Sequence, residues 1–276
     1  MSIITLTTDF GTKDHSVAAV KGAIYSELES AIVVDISHQI DAFNIAQTAY
    51  VINNSYKNFP KGTIHIIGVD SELNPENKHI ALLLDNHYFI CPDNGLIAMI
   101  AAKIKPEKIV EINIHNTMPS SFPVLDVFVK VACHIARGGT LDVIGKPISD
   151  FKKAVELSPM LNKEKNEIKG HIIYIDNYGN LVTNITKSLI NEVSRDRPFE
   201  ITARGYSFTK ILEKYCDVED FNIPKEQRQN DGKRLAIYNS SDLLELAIYR
   251  SNLKTVGGAA GLLGLKYRDN VTIKFY

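Results

Sequence analysis

A change of rhythm restricts the fold of this chain more than any other feature. Over roughly the first 150 residues, short apolar runs alternate with segments whose apolar residues recur every three or four positions. Residues 3–7 read as a strand, and Val17, Val20, Ile24 and Leu28 fall at helical spacing, which predicts a helix over 16–28. Residues 31–36 ("AIVVDI") and 63–69 ("TIHIIGV") read as further buried strands, with a helix over 44–56 between them and Pro60 and Gly62 closing the connection. "IALLLD" and "HYFIC" read as a hairpin pair meeting at Asp85 and Asn86, followed by the helix "GLIAMIAAKI", the strand "KIVEINI" and a helix over 125–136 ending at Gly138 and Gly139. Strand and helix in alternation predict an α/β unit whose mostly parallel sheet is covered by helices.

The rhythm breaks near residues 150–168. "LNKEKNEIKG", residues 161–170, is polar and charged and reads as a linker. Beyond it follow "HIIYID", "LVTNI", "FEITA", "RLAIY", "LLELAIY" and "NVTIKF", the pattern of a smaller β-barrel domain. The expected domains are therefore residues 1–160 and 169–276. Residues 213–233 are polar and fit neither pattern.

Charge and cysteine usage exclude several functions. Lys and Arg number 31 against 32 Asp and Glu, for a formal net charge of −1, so the electrostatic case for a nucleic-acid partner is absent. No apolar run has membrane-spanning length, so no membrane partner is expected. Cys91, Cys133 and Cys216 are widely spaced and form no CxxC, which suits a reducing compartment, and a cytoplasmic protein is expected. The histidines show no metal-ligand pairing, so no metal is expected, and His134 reads as a packed or surface residue.

In a parallel sheet, ligands gather at the carboxyl ends of the strands. After the first strand come Thr8, Asp9, Gly11, Asp14 and Ser16; after the second, Ser37, His38 and Phe43; after the third, Asp70, Ser71 and Glu72; after "HYFIC", Asp93, Asn94 and Gly95. The second domain opens with Asp176, Asn177, Tyr178, Gly179 and Asn180. Such a set of carboxylates and amides suits a ligand bearing hydroxyls and amines, and a cationic one. It does not suit a polyphosphate, because neither a P-loop nor GxGxxG is present. Each residue also has a plain structural role open to it. Asp9 and Asp70 are good turn formers, Asp14 or Ser16 can cap a helix, Phe43 can be a core residue, and "DNYGN" is good hairpin chemistry.

Together the stretches "TTDFGTKDHSVAAVKG", "VVDIS" with "FNI" after it, "GVDSE", "CPDNGL", "YIDNYGNLVTNI" and "LLELAIYRSN" resemble the S-adenosylmethionine hydrolase (hydroxide adenosyltransferase) family, related to fluorinase and chlorinase. The resemblance covers nearly the whole chain in order. It implies an α/β N-terminal domain, a small C-terminal β-barrel, and a homotrimer with active sites at subunit interfaces. It implies the conversion of S-adenosylmethionine and water to adenosine and methionine, with no cofactor beyond the substrate. By matching position, Asp9 takes the ribose diol, Asp14 and Ser16 face the methionine portion, and Phe43 forms an aromatic wall. Asn94 joins the substrate-binding set, Asp176 and Asn180 lie near the amino acid and adenosine, Tyr178 packs on the base, and Ser240 and Ser241 add the last contacts. Asp70 takes the water-activating position.

The chain departs from the family at the water site. Asn77 stands where the hydrolases carry an Arg, with Lys78 beside it as a substitute cation; Pro123 stands in place of a His and Leu125 in place of a second Arg. Val124 occupies the position of the halogenases' halide-binding serine, and the short segment from Asp70 to His79 lacks their extra loop. The alternatives to hydrolysis are a binding protein that holds adenosine or S-adenosylmethionine without turnover, an enzyme acting on another nucleoside-like substrate, and a halogenase-type substitution.

Overall fold

The computed structural model describes residues 2–101, 104–114, 120–154 and 158–276. The chain divides into two compact units, Met1–Val155 and Glu156–Tyr276.

The first unit is built on a seven-stranded sheet of order β2-β1-β3-β5-β4-β6-β7. The strands are β1 (Ile3–Thr8), β2 (Ile32–Ser37), β3 (Ile64–Gly68), β4 (His79–Leu84), β5 (His87–Pro92), β6 (Lys108–Ile112) and β7 (Gly145–Pro147). β2, β1, β3 and β5 pair in parallel; β4 is antiparallel to β5 and β6, and β7 is antiparallel to β6. The sheet is therefore mixed, with all strands but β4 and β7 running one way. The turn between β4 and β5 has Asp85 and Asn86 at φ of 54° and 61°, the left-handed pair that a two-residue hairpin requires.

Side-chain alternation feeds two cores. Ile4 and Leu6 of β1 and Ile64 and Ile66 of β3 pack with α1 (Ser16–Glu27) and α4 (Val129–Ala136). Ile67, Ile80, Leu82 and Phe89 pack on the opposite face with α2 (Ile45–Asn53) and α3 (Leu96–Ile100). Asn44 caps α2 by accepting from the Gln47 N–H at 3.0 Å. The expected helix over 44–56 is thus divided, with a separate 3-10 turn at Tyr56–Asn58. Ala102 and Lys103 of the expected "GLIAMIAAKI" helix lie outside the described residues. The helix predicted over 125–136 begins as a π-helical turn, Val124–Phe128, before α4. A short α5 (Leu141–Ile144) leads into β7.

The second unit is an antiparallel, barrel-like sheet of order β12-β11-β15-β9-β10-β14-β13, with β8 paired to β9. Its strands are β8 (Met160–Leu161), β9 (Glu167–Ile175), β10 (Leu181–Thr186), β11 (Phe199–Ala203), β12 (Tyr206–Phe208), β13 (Arg234–Tyr238), β14 (Leu243–Ile248) and β15 (Asn270–Phe275). Just beyond β12, Leu212 bridges Ile237 of β13, which brings the two edges of the sheet together. Two short helices, α6 (Lys187–Ser194) and α7 (Ala259–Leu263), complete the unit. The linker expected over 161–170 is instead the β8–β9 hairpin. Its polarity belongs to the Asn162–Asn166 turn and to the outward positions of β9, whose inward Ile168 and Ile172 are fully buried. Among the described residues, no helix is long and apolar enough to cross a membrane.

Candidate active site

Parallel register gathers the first unit's polar turns at one edge of its sheet. Thr8 of β1 pairs with Gly68 of β3, so Asp9 and Asp70 leave neighbouring strand ends, a strand spacing of roughly 5 Å apart at their origin. β2 ends alongside, with Ser37 opposite Thr7. There the Thr8 hydroxyl meets His38 Nδ1 at 2.8 Å, and the Gly11 N–H donates to the His38 carbonyl. His38 Nε2 lies 3.0 Å from Asp35 Oδ1. Burial raises the Asp35 carboxyl, but Lys21 and His38 outweigh it and hold the group below its usual range.

Asp9 accepts from the Phe43 N–H at 3.0 Å through Oδ2. Phe43 takes a left-handed φ of 63°, and its ring is 70% exposed, so it is not a core residue. A non-glycine residue in that conformation is held there by its surroundings, and here the hold includes Asp9. The Phe43 backbone and the Asp9 carboxylate are thereby tied to each other. Neither Asp14 nor Ser16 caps α1; its N-cap is His15, with no side-chain hydrogen bond. Asp14 is exposed, leaving its carboxylate at the surface of the same turn.

The loop after β3 is braced from the strand that follows it. Asn77 Nδ2 donates to the Asp70 carbonyl at 2.8 Å and to the Glu72 carbonyl at 3.1 Å. His79 Nε2 lies 3.0 Å from the Ser71 carbonyl, and since a carbonyl only accepts, Nε2 carries the hydrogen. Asn94 Nδ2 donates to the Val69 carbonyl at 3.2 Å. Four successive carbonyls, Val69 to Glu72, are thus taken by side-chain donors, and Asp70 is held at a φ of 50°. Asn77, bridged to Asn74 just ahead of β4, and His79, the first residue of β4, are buried, and Lys78 between them is exposed. The amide that replaces the expected cation is therefore a buried structural tie. Asp93 lies near this loop, accepting from the Lys152 N–H at 2.8 Å, and burial pushes its carboxyl above the usual range.

An apolar wall closes one side. A Cβ on Gly68 would lie 2.7 Å from Val124 Cγ2 and 3.3 Å from the tip of Phe10, so glycine allows both to approach the end of β3. Phe10 packs edge-on against Phe122, 5.3 Å between ring centres. Pro123 caps the π-helical turn and Val124 is fully buried, so no hydroxyl or imidazole enters here from these positions.

In the second unit the "DNYGN" stretch is the β9–β10 turn. Asp176 Oδ1 accepts from the Tyr178 and Asn180 N–H groups, each at 2.8 Å, and Oδ2 accepts from Asn180 Nδ2 at 3.0 Å. Asp176 therefore shapes the turn, and Tyr178 is left 62% exposed at its tip. Ser240 and Ser241 occupy the β13–β14 turn, where Asn239 Oδ1 accepts from the Ser241 and Leu243 N–H groups. Leu243 pairs with Thr186 and Leu246 with Leu181, so the serines sit at the opposite end of β14 from Tyr178 and Asn180. Between them Glu245, 3% exposed, accepts from the Tyr215 hydroxyl at 2.6 Å. The family resemblance had not pointed to Glu245, Tyr215, Asn77 or His79 as working parts. Only the alternate spacing of Asn77 and His79 at the start of the apolar β4 run could have suggested that pair, and no local signal marks Glu245 or Tyr215. Among the described residues, no group of three or more His, Cys, Asp or Glu side chains is placed to hold a metal ion.

These features define a class: an α/β unit with acidic, amide-braced turns at the carboxyl ends of its strands, joined to an antiparallel barrel-like unit with an aromatic-tipped Asp-Asn turn. The chain belongs to the SAM hydroxide adenosyltransferase family; residues 4–145 match its N-terminal domain and residues 170–272 its C-terminal domain. It is 30% identical to an (R)-S-adenosyl-L-methionine hydrolase of Methanocaldococcus jannaschii, over 99% of this chain and 96% of that one. A fluorinase of Actinopolyspora mzabensis is 22% identical, over 89% of this chain and 90% of the other. Among solved structures, an uncharacterized conserved protein from Thermotoga maritima superposes with a TM-score of 0.83 at 26% identity, covering 99% of both chains.

Proposed function

We propose that the protein hydrolyses S-adenosyl-L-methionine, with water attacking the ribose C5′ to give adenosine and L-methionine. The C5′–S bond breaks as the C5′–O bond forms, the bonding pair neutralises the sulfonium sulfur, and the water releases a proton. The observation that carries the reading is the Asp70 loop. A carboxylate is held at a strand end next to Asp9, on a backbone whose carbonyls are tied down, beside an apolar wall from Phe10 and Val124. Attack of water on a cation disperses charge, and a partly dry, preorganised site favours such a step. Asp70 orients the water and takes its proton, while Asp9 binds the ribose diol, since one carboxylate can accept from two adjacent hydroxyls. Phe43, Asn94, Tyr178 and Asn180, with Asp14, Ser16, Asp176, Ser240 and Ser241, form the rest of the substrate set. Lys78 is the nearest available cation in sequence to Asp70. No cofactor is required. The hydrolase names of the relatives support this reading over halogenation, and so does Val124 in place of a halide-binding hydroxyl.

The same reading gives a homotrimer, expected in light scattering at three times the chain mass. The three thiols, all unpaired, fit a cytoplasmic setting. The test is incubation with S-adenosyl-L-methionine and chromatography of products. Adenosine and methionine in equal amounts are expected, with Asp70→Asn lowering kcat at least ~100-fold and leaving adenosine affinity within about 2-fold. Adenosine binding with no product would favour a binding protein instead.

A further inference from the structure

Residues 213–233 fit no sequence pattern, and the structure gives the start of that stretch a place. The Leu212 N–H donates to the Ala236 carbonyl at 2.8 Å, and the 3-10 turn Tyr215–Val218 follows. That turn delivers the Tyr215 hydroxyl to Glu245, the most buried carboxylate among the described residues of the unit, at 2.6 Å. Glu245 lies opposite Val182 of β10 and Ile237 of β13, in the middle of a strand face where a carboxylate is costly unless it is hydrogen-bonded.

The directions of these hydrogen bonds can be deduced. The Tyr215 proton goes to the Glu245 carboxylate, so the phenol oxygen is left as an acceptor. Asn180 Nδ2 points at that oxygen at 3.5 Å and donates to Asp176 Oδ2 at 3.0 Å. Every neighbour on that side accepts, so the atom facing them is the amide nitrogen. The remaining atom, Asn180 Oδ1, is buried and has no partner among the described residues, in a residue only 4% exposed. A buried acceptor without a donor carries a standing cost unless a ligand supplies one.

Resting on the hydrolase reading, we propose that Tyr215 and Glu245 are positioning residues for substrate binding. Through the hydroxyl they fix the amide of Asn180 so that its oxygen faces the ligand and selects a group that donates a hydrogen bond. The pair acts on affinity and on the choice of base, not on the bond that breaks. Replacing Glu245 by Gln introduces an amide that can donate to the Tyr215 oxygen and removes the obligatory acceptor, so the amide of Asn180 is left with Asp176 Oδ2 as its one fixed acceptor on that side. Replacing Tyr215 by Phe deletes the relay from a side chain that is 41% exposed, with little risk to folding.

The experiment is calorimetric titration with adenosine and steady-state kinetics on wild type, Tyr215→Phe, Glu245→Gln, Asn180→Ala and Tyr215→Phe/Asn180→Ala. Expected are a rise of about 10-fold in both adenosine Kd and KM for Tyr215→Phe and for Glu245→Gln, with kcat within about 2-fold. Tyr215→Phe should add nothing further in the Asn180→Ala background. A purely structural role would lower the active fraction, and with it kcat, while leaving KM unchanged. Unchanged KM and Kd in Tyr215→Phe, or full additivity with Asn180→Ala, overturns the proposal while the hydrolase reading stands. Wild type that neither binds adenosine nor turns over substrate overturns both.

Discussion

Asn77→Ala tests how the Asp70 loop is held. The wild-type amide donates to the carbonyls of Asp70 and Glu72 at 2.8 and 3.1 Å from a side chain only 7% exposed. Removing it strips two carbonyls of their donor at roughly 1–3 kcal/mol each. At the low end, because loop carbonyls can turn toward water, the loss is about 2 kcal/mol. The left-handed backbone of Asp70 itself costs about 1–2 kcal/mol and pulls the loop toward a relaxed form. A 2 kcal/mol shift lowers the equilibrium constant between competent and relaxed loop roughly 30-fold, and kcat should fall, by up to that factor. Asn77→Asp keeps the shape but cannot donate, so it should lose as much. Adenosine Kd should stay within about 2-fold, because Asp9 is held separately by the Phe43 N–H. A readout independent of turnover is hydrogen exchange. The Asn74 and Asn77 N–H groups bridge each other's carbonyls and should exchange faster by the same factor. Wild-type exchange rates, or turnover within about 2-fold of wild type, in both variants would refute the argument.

Three further outcomes are expected. Asp9→Ala should weaken adenosine at least ~10-fold in calorimetry, since a charged acceptor is lost, with the melting temperature little changed; equal affinity would remove Asp9 from the diol. Burial, with His87 beside it, lowers His65 to a pKa of about 3, and its Nδ1 meets the Thr5 hydroxyl at 2.7 Å. Because the folded value is depressed, stability is complete above the unfolded value of about 6.5 and falls as the pH drops toward 3, by ~2 kcal/mol at pH 5; an NMR titration of the ring with a midpoint near 6 would contradict this. Gly179→Ala places a Cβ 2.9 Å from Gly258 Cα at a φ of 76°, and should destabilise by about 1–3 kcal/mol in urea unfolding; an unchanged midpoint would count against the close approach.

Where local chemistry decides structure, the sequence was readable. Asp85-Asn86 between two apolar runs is a hairpin signal, and both residues adopt the left-handed region it requires. The strand-end census found Asp9, His38, Asp70 and Asn94 at one edge because parallel pairing and strand polarity put them there. Helix α6 went unread although Thr186 accepts from the Leu189 N–H as its cap, because its apolar Ile190 and Val193 are too few to mark a period. The roles of Asn77 and Glu245 were not legible for a different reason. Each depends on partners fixed by the register of another strand, and no local pattern carries that. The family resemblance had registered Asn77 only as a missing cation. Its burial shows that this position now serves the backbone.

The brace on the Asp70 loop reaches back from the first residues of a strand whose parity is locked by the pairing of Ile80 with Cys91. Inserting or deleting a single residue between Asn77 and His79 would displace Asn77 from the loop it ties, while His79, paired opposite Pro92, keeps its place. The spacing from Asn77 to His79 is therefore the fixed length of this brace, and a lineage altering its chemistry here is steered toward substitution at that spacing.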